Sequence, residues 1–184
     1  AVTFPSSQTR LATGAELPEV FQFNLGIERQ LSKKTVLAVN YVGTRGSHQF
    51  RSRHGNAPLP PDFARRPDSQ INVLRFIESA SRLEGNALEV TVTGDLGPKI
   101  TGLAQYTFGK TLSDTGGVSW FPADSFNPRG EWGRADTDRR QQVNLLATGK
   151  FHRWLNLGAS VSLLSGIPFN LTTGHDENRD GLAN

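Results

Sequence analysis

Residues 20–45, VFQFNLGIERQLSKKTVLAVNYVGTR, predict a β-hairpin with one apolar and one polar face. The first half alternates apolar side chains with polar ones or glycine, the apolar ones being Phe21, Phe23, Leu25 and Ile27. Side chains of a strand point alternately to its two sides, so this half is a strand with one apolar face. A tight turn at Ser32-Lys33-Lys34 follows, and then a return strand whose apolar residues are Leu37, Val39 and Tyr41.

The same alternation recurs along the chain. It predicts about six strands, at residues 20–30, 35–45, 72–93, 99–112, 140–151 and 155–173, the third interrupted around 79–86. Short connections at 31–34, 94–98 and 152–156 alternate with long polar segments at 45–71, 113–139 and from 174 onward. No segment has a helical apolar stripe. The prediction is an all-β, antiparallel meander with short turns at one rim and long loops at the other, as in outer-membrane barrels.

Composition narrows the class of protein. The 184 residues suit one domain, and no run approaches the ~20 apolar residues of a membrane-spanning helix. The absence of cysteine excludes disulfides and thiolate chemistry, and the absence of methionine predicts a processed product or a piece of a longer chain. A net charge of +3 with mixed signs gives no reason to expect nucleic acid.

Two observations favour a membrane barrel with its apolar face toward lipid. The polar face is mostly small and uncharged, and large aromatics lie towards strand ends, at Phe21, Tyr41, Tyr106, Phe108, Phe151 and Phe169, with Trp154 in a turn. The alternative is a soluble β-sandwich or small barrel that acts as a binding module, with the apolar face packed inside. Because the smallest known barrels have about eight strands, six strands predict part of a larger transmembrane barrel.

Short motifs occur in a characteristic order: YVGTRGSH (41–48), NAPLP (56–60), NALEV (86–90), YTFGKTL (106–112), FNPRGEWG (126–133), DRR (138–140) and SGIPFN (165–170). With the 176–181 segment, they resemble the barrel of Oar-like TonB-dependent receptors, which carry a carboxypeptidase-regulatory-like domain ahead of a plug. The resemblance extends from about residue 20 to the end of the sequence.

The resemblance implies a parent protein with a plug, a TonB box and a barrel of about 22 strands. It also implies ligand binding and uptake across the outer membrane of a Gram-negative bacterium, with periplasmic turns and extracellular loops. The sequence shows no plug, TonB box or terminal aromatic strand, so we expect it to supply wall and loops. The expected partners are outer-membrane lipid, the rest of the barrel and plug, an unknown extracellular ligand and, for the parent only, TonB.

One segment has the spacing of a calcium loop. Asp176, Asn178 and Asp180 alternate and are followed by Gly181, which matches the D-x-N-x-D-G pattern of oxygen ligands around a hard cation. Asn184 takes the ninth position, where such loops often add a ligand. The alternative is an ordinary polar turn. A calcium site also raises a third hypothesis for the protein, a calcium-dependent surface adhesin.

The long loops contain further candidate ligand-binding residues. A basic cluster at Arg45, His48, Arg51, Arg53 and His54 suits lipopolysaccharide phosphates or another anionic ligand, or is simply a solvated loop. Aromatic residues at Trp120, Phe121, Phe126 and Trp132 either stack on a ligand or pack the loop on itself.

The acidic and basic residues Asp136, Asp138, Arg139 and Arg140 predict a salt-bridge network at the rim rather than an acid–base pair. The sequence contains no His-Glu-x-x-His, no Gly-x-Ser-x-Gly and no phosphate-binding glycine loop. We therefore expect no enzyme activity, and no cofactor other than calcium.

Overall fold

A computed structural model describes residues 6–183, which form one eight-stranded sheet and a single short 3₁₀ helix in that range. The strands are β1 Ser6–Leu11, β2 Glu19–Ser32, β3 Thr35–His54, β4 Ile71–Gly97, β5 Ile100–Ser113, β6 Gly133–Arg134, β7 Gln141–His152 and β8 Leu155–Leu164. The 3₁₀ helix is Pro128–Glu131. Within residues 6–183, no helix has the length and apolarity needed to cross a membrane. The predicted all-β class is confirmed.

The order of the main strands is β2-β3-β4-β5-β7-β8, and each neighbouring pair is antiparallel. Two-residue turns at 33–34, 98–99 and 153–154 join the hairpins at one rim. The long segments 55–70 and 114–140 connect strands at the opposite rim, where 165–183 also begins. The predicted separation of short turns from long loops is therefore confirmed. In the described part of the chain β2 and β8 do not pair with each other, so the sheet is not closed.

Two short strands were not predicted. β1 pairs in parallel with β4, from Ser6 opposite Ile71 to Leu11 opposite Ile77. This edge of β4 is available because β5 ends at Ser113, opposite Leu83. β6 pairs with the end of β5 over two residues. These two strands are additions to the predicted antiparallel meander of about six strands, which the six main strands confirm. The sequence did not indicate them, because neither has an apolar alternation.

The first long loop is shorter than predicted. β3 continues to His54 rather than ending near 45, and β4 runs without interruption through 79–86. Irregular pairing between Gly46 and Arg51 absorbs the break in alternation, and His48 has a left-handed φ of 54° there. The β3 extension lies above the apolar part of the sheet, and its polar sequence did not predict a strand. For β4, a strand from residue 72 was predicted, and only the interruption around 79–86 is absent.

The last strand is also shorter than predicted, since β8 ends at Leu164 rather than 173. Its partner β7 begins at Gln141, and the final contact is the Ser165 N–H donating to the Gln141 carbonyl. Beyond that point no neighbouring strand is present in the described residues to hold residues 166–173 extended. Pro168 also lacks an N–H for a ladder. The alternating apolar residues Ile167, Phe169 and Leu171 therefore do not form a strand.

The strand register separates the two faces of the sheet, because directly opposed residues share a face. One row across six strands is wholly apolar: Ile27, Val39, Val90, Tyr106, Val143 and Leu163. The row on the opposite face is mostly polar: Glu28, Ala38, Thr91, Gln105, Asn144 and Ser162. We call the apolar face, between the short turns and the Arg45–Glu84 pair, the apolar band.

The apolar band has no core behind it. Among residues 6–183 the buried hydrophobic residues are only Ala57, Ile71 and Ala135, which all lie in or next to the long loops. A soluble sandwich or small barrel would bury the apolar rows against a second layer. Within residues 6–183 the apolar rows contact no second layer, which argues against that alternative.

Aromatic and charged side chains mark the loop-side border of the apolar band. The rings of Phe21 and Tyr41 each lie 6.0 Å from the Phe23 ring, which covers Gly43 so closely that a Cβ there would overlap it. The Tyr41 hydroxyl donates to Asn86 Oδ1 at 2.6 Å, and Arg45 pairs with Glu84 at 3.2 Å. The three aromatic rings correspond to the aromatic girdle that membrane barrels have at the lipid–water interface.

Candidate functional site in the loop cluster

The long loops fold together into one structure above the apolar band, which we call the loop cluster: residues 46–83, 114–140 and 165–183. The extended parts of β3 and β4 are its base. Val118 accepts 2.6 Å hydrogen bonds from the Ser52 hydroxyl and from Arg75, one on each strand. The backbone N–H of His54 donates to Ser125 Oγ at 3.1 Å. These contacts hold the 114–140 loop against both strands.

Asn56 fixes the shape of the first loop, 55–70. Its side chain is fully buried, and its amide nitrogen donates to the carbonyls of Asp68 at 2.9 Å and Ile71 at 2.6 Å. Its Oδ1 accepts the Asp68 N–H at 2.8 Å. Three hydrogen bonds from one buried side chain join the two ends of this loop. Asn56 was not among the candidate site residues predicted from the sequence.

Arg51 and Arg53, two of the predicted anion-binding residues, share a carboxylate. Glu78 accepts from Arg51 Nε at 2.8 Å and from Arg53 Nε at 3.0 Å, and Asp114 lies 3.7 Å from Arg51. Burial alone would raise the pKa of Glu78, but the hydrogen bonds and charges of the two arginines hold it below its ordinary value. The two arginines therefore already have anionic partners inside the protein.

The remaining members of the basic cluster lie elsewhere. Arg45 lies at the border of the apolar band with Glu84, and His48 Nε2 is 3.3 Å from Glu16. His54 is buried, and Arg66 Nη1 lies 3.2 Å from its Nε2. Burial and the Arg66 charge hold the pKa of His54 below its ordinary value. The structure thus distributes these five residues among four environments, and anion binding by them stays a prediction.

The aromatic residues of the second loop divide into two groups. Phe121 packs under the Arg75 guanidinium at 4.2 Å, and Trp132 under that of Arg82 at 4.4 Å. Trp120 is 68% exposed, and Phe126 is also exposed. Trp132 therefore helps to pack the loop, whereas Trp120 is open to a stacking partner.

Asp138 is the centre of the predicted rim network. Its carboxylate is 1% exposed and accepts from Arg134 Nε at 2.5 Å, Arg140 Nε at 3.3 Å and the Thr111 N–H at 2.7 Å. Burial would raise its pKa, but these donors lower it from 3.8. Asp136 is exposed, and Arg139 donates instead to the Ser165 carbonyl at 2.9 Å. Arg134 is the partner that the sequence did not suggest.

The predicted calcium-loop residues come together around the loop's own backbone. Asp176 accepts the N–H groups of Asp180 and Gly181, each at 2.9 Å, and Asn178 Oδ1 accepts that of Asp180 at 3.0 Å. Asn184 lies outside the described residues. Among residues 6–183, no three His, Asp or Glu side chains come together at one point. This loop instead offers the carboxylates of Asp176 and Asp180 and the amide oxygen of Asn178.

Comparison with known proteins agrees with this architecture. Residues 1–183 match the family model described as an outer membrane beta barrel domain. The chain belongs to this family. A search of curated proteins and a search of solved structures each found no significant match.

Because the chain belongs to the outer-membrane β-barrel family, we can assign the environment of each face of the sheet. In such barrels the apolar face meets lipid and the polar face lines the lumen. On the polar face, directly below the loop cluster, lies a groove of about 140 Å³. Its lining includes Thr44, Thr107, Thr111, Arg139 and Gln142. This outer-membrane barrel domain therefore presents a small recess, lined by both polar and apolar residues, at the loop-side end of its lumen face.

Several residues that build the loop cluster escaped sequence reasoning, namely Asn56, Arg66, Glu78, Asp114 and Arg134. Each acts through a partner that the fold brings near, as Asp114 does when it accepts from the Ser81 hydroxyl and, at 2.8 Å, from the Arg82 N–H. The one available signal was that Asn56 and Arg134 lie in or beside motifs that carry the family resemblance.

Proposed function

We propose that this outer-membrane barrel domain is a wall segment of a TonB-dependent receptor in a Gram-negative bacterium. The complete receptor binds a ligand at its extracellular loops and takes it up across the outer membrane. The resemblance of the strand and loop motifs to Oar-like receptors supports this finer assignment, and the polar lumen face is compatible with passage of a polar ligand.

The observation that carries the proposal is that, within residues 6–183, the sheet is open at β2 and β8 and has an apolar band across all six main strands. Unpaired backbone groups in a bilayer each cost several kcal/mol, so a lipid-facing sheet must continue to closure. The number of strands at closure is not fixed by this sheet, but the resemblance implies about 22, as in the large outer-membrane transporters.

TonB coupling can be tested with the full-length protein in paired strains that contain or lack TonB. Periplasmic small molecules are compared by mass spectrometry, with and without expression of the protein. We expect at least one compound to accumulate only when both the protein and TonB are present. Equal accumulation without TonB would indicate a passive channel and contradict the proposal.

A further inference from the structure

The loop Asp176–Gly181 gathers oxygen ligands on one short stretch of backbone. Both Asp176 oxygens, Asn178 Oδ1 and Asp180 Oδ1 each accept a backbone N–H, the last from Leu182 at 2.9 Å. An ionised carboxylate oxygen has about two acceptor sites, so each can still coordinate a cation. Gly181, with φ of 91°, adopts the left-handed conformation that the sixth position of a calcium loop requires.

A second and independent observation is an oxygen without a partner. Asp180 is completely buried, with 0% exposure, and its Oδ2 has no hydrogen-bond partner. Among residues 6–183 it is the only buried side-chain oxygen in this condition. A buried carboxylate oxygen without a partner carries a large desolvation cost, and such atoms call for an explanation, often an ion.

Arg66 is the nearest alternative explanation, because its guanidinium lies against Gly181. Its Nη1, however, donates to the carbonyls of Asn72 at 2.7 Å and Asn56 at 3.4 Å, and lies beside His54. No ion pair within 4.0 Å in the described part of the chain includes Asp180. The arginine therefore leaves Oδ2 of Asp180 unbonded.

We propose that Asp176, Asn178 and Asp180 bind a calcium ion, with Oδ2 of Asp180 as the buried ligand. All the ligand atoms are oxygens, as a hard divalent cation prefers, and they alternate as in a calcium loop. Asp176 is exposed and Asn178 half-buried, so water can complete the coordination. This inference goes beyond the proposed uptake and does not depend on TonB.

The position of this site gives it a structural consequence. The Asn178 amide nitrogen donates to the carbonyl of Ala123 in the second long loop, and Gly181 contacts Arg66 of the first. A cation that fixes the Asp176–Gly181 loop would therefore hold all three segments of the loop cluster together.

The test measures calcium binding by the full-length protein in detergent, after chelator treatment, by calorimetry and by thermal unfolding. We expect a dissociation constant of about 10⁻⁴–10⁻³ M, as in extracellular calcium modules, and a higher Tm in millimolar calcium. Asp180→Asn should weaken binding at least about tenfold and remove most of the Tm shift. The matched control, Glu177→Gln, removes one charge from an exposed side chain in the same loop and should retain both.

Asp176→Asn provides a second variant at an exposed position, for use if Asp180→Asn does not fold. An increase in Tm with calcium that is equal in wild type and both variants would overturn the proposal. The proposal would also fail if Asp180→Asn raised the Tm without calcium while calcium had no effect on the wild type. That result would identify Asp180 as a buried charge without a cation.

Discussion

Arg134 Nε lies 2.5 Å from Oδ2 of Asp138, four residues later in the chain. The same carboxylate accepts the Thr111 N–H at 2.7 Å, so Asp138 holds the end of the second long loop against β5. Because Asp138 is only 1% exposed, its interactions are protected from water more than those of an ordinary surface ion pair.

The first prediction concerns this ion pair. Asp138→Asn should lower the free energy of unfolding by about 2 kcal/mol at pH 7, since hydrogen bonds to charged groups contribute about 1.5–3 kcal/mol. Urea unfolding of the full-length protein in detergent measures the change. The control is Asp136→Asn, which removes an exposed carboxylate two residues away and should change the urea midpoint little.

The pH dependence of the same effect has a definite sign. The pKa of Asp138 in the folded protein is below 3.8, so its contribution is complete above that value and is lost as the pH falls through the folded pKa. The difference between wild type and Asp138→Asn should therefore shrink below pH 3.8. A difference that stayed constant down to the most acidic pH at which the protein folds would contradict this account.

The second prediction tests which face meets lipid. Leu145→Arg places a charge in the apolar band and should cost about 2–4 kcal/mol in a bilayer. Asn144→Arg, at the adjacent and equally half-buried position, faces the lumen and should be tolerated. The yield of protein that folds into lipid vesicles measures the effect of each substitution. Equal loss of folding in the two variants would argue against the assignment of the faces.

The third prediction concerns the two exposed tryptophans at opposite rims. Trp154 lies in a two-residue turn with 74% exposure, and Trp120 lies in the loop cluster with 68%. Trp154→Phe should remove fluorescence that brominated lipids quench, because amphipathic rings sit at the membrane interface. Trp120→Phe should instead remove fluorescence that iodide quenches. If Trp154→Phe left lipid quenching unchanged, the turn rim would not lie at the bilayer surface.

The fourth prediction concerns the first loop. Asn56→Ala removes three hydrogen bonds of a buried side chain and should open the 55–70 loop. Trypsin cleavage after the exposed Arg65 should then be about tenfold faster or more, since about 1.4 kcal/mol corresponds to a factor of ten. Asn72→Ala, at an exposed side chain near the same loop, is the control and should cleave like the wild type.

The strands and hairpins of the apolar band, which share one repeating pattern, were predicted from the sequence. Strands within the apolar band face lipid on one side and water on the other, so apolar and polar residues alternate along them. This alternation allowed the positions of the hairpins to be predicted accurately from the sequence. Above the band both faces of β3 and β4 are polar or covered by loops, and the alternation disappears. This is why the extension of β3 to His54 and the pairing of β1 with β4 were missed.

The loop cluster was less predictable because its contacts join distant residues. His54 and Ser125 are 71 positions apart in the sequence, and Asn178 and Ala123 are 55 positions apart. Such pairs depend on where the sheet places each loop, which no local pattern encodes. The spacing of Asp176, Asn178 and Asp180 was visible in the sequence because these proposed ligands are close together in the chain, but the burial of Asp180 was not.

The Phe23 ring over Gly43 has a consequence for how a barrel would close. β2 is an edge strand, and a slip of one residue against β3 would turn its phenylalanines into the lumen. The ring fits over glycine but would overlap a side chain at that position, so it favours one alignment of this hairpin. Within residues 6–183 the outer edge of β2 is unpaired, so this alignment also determines which backbone N–H and C=O groups that edge presents to a further strand.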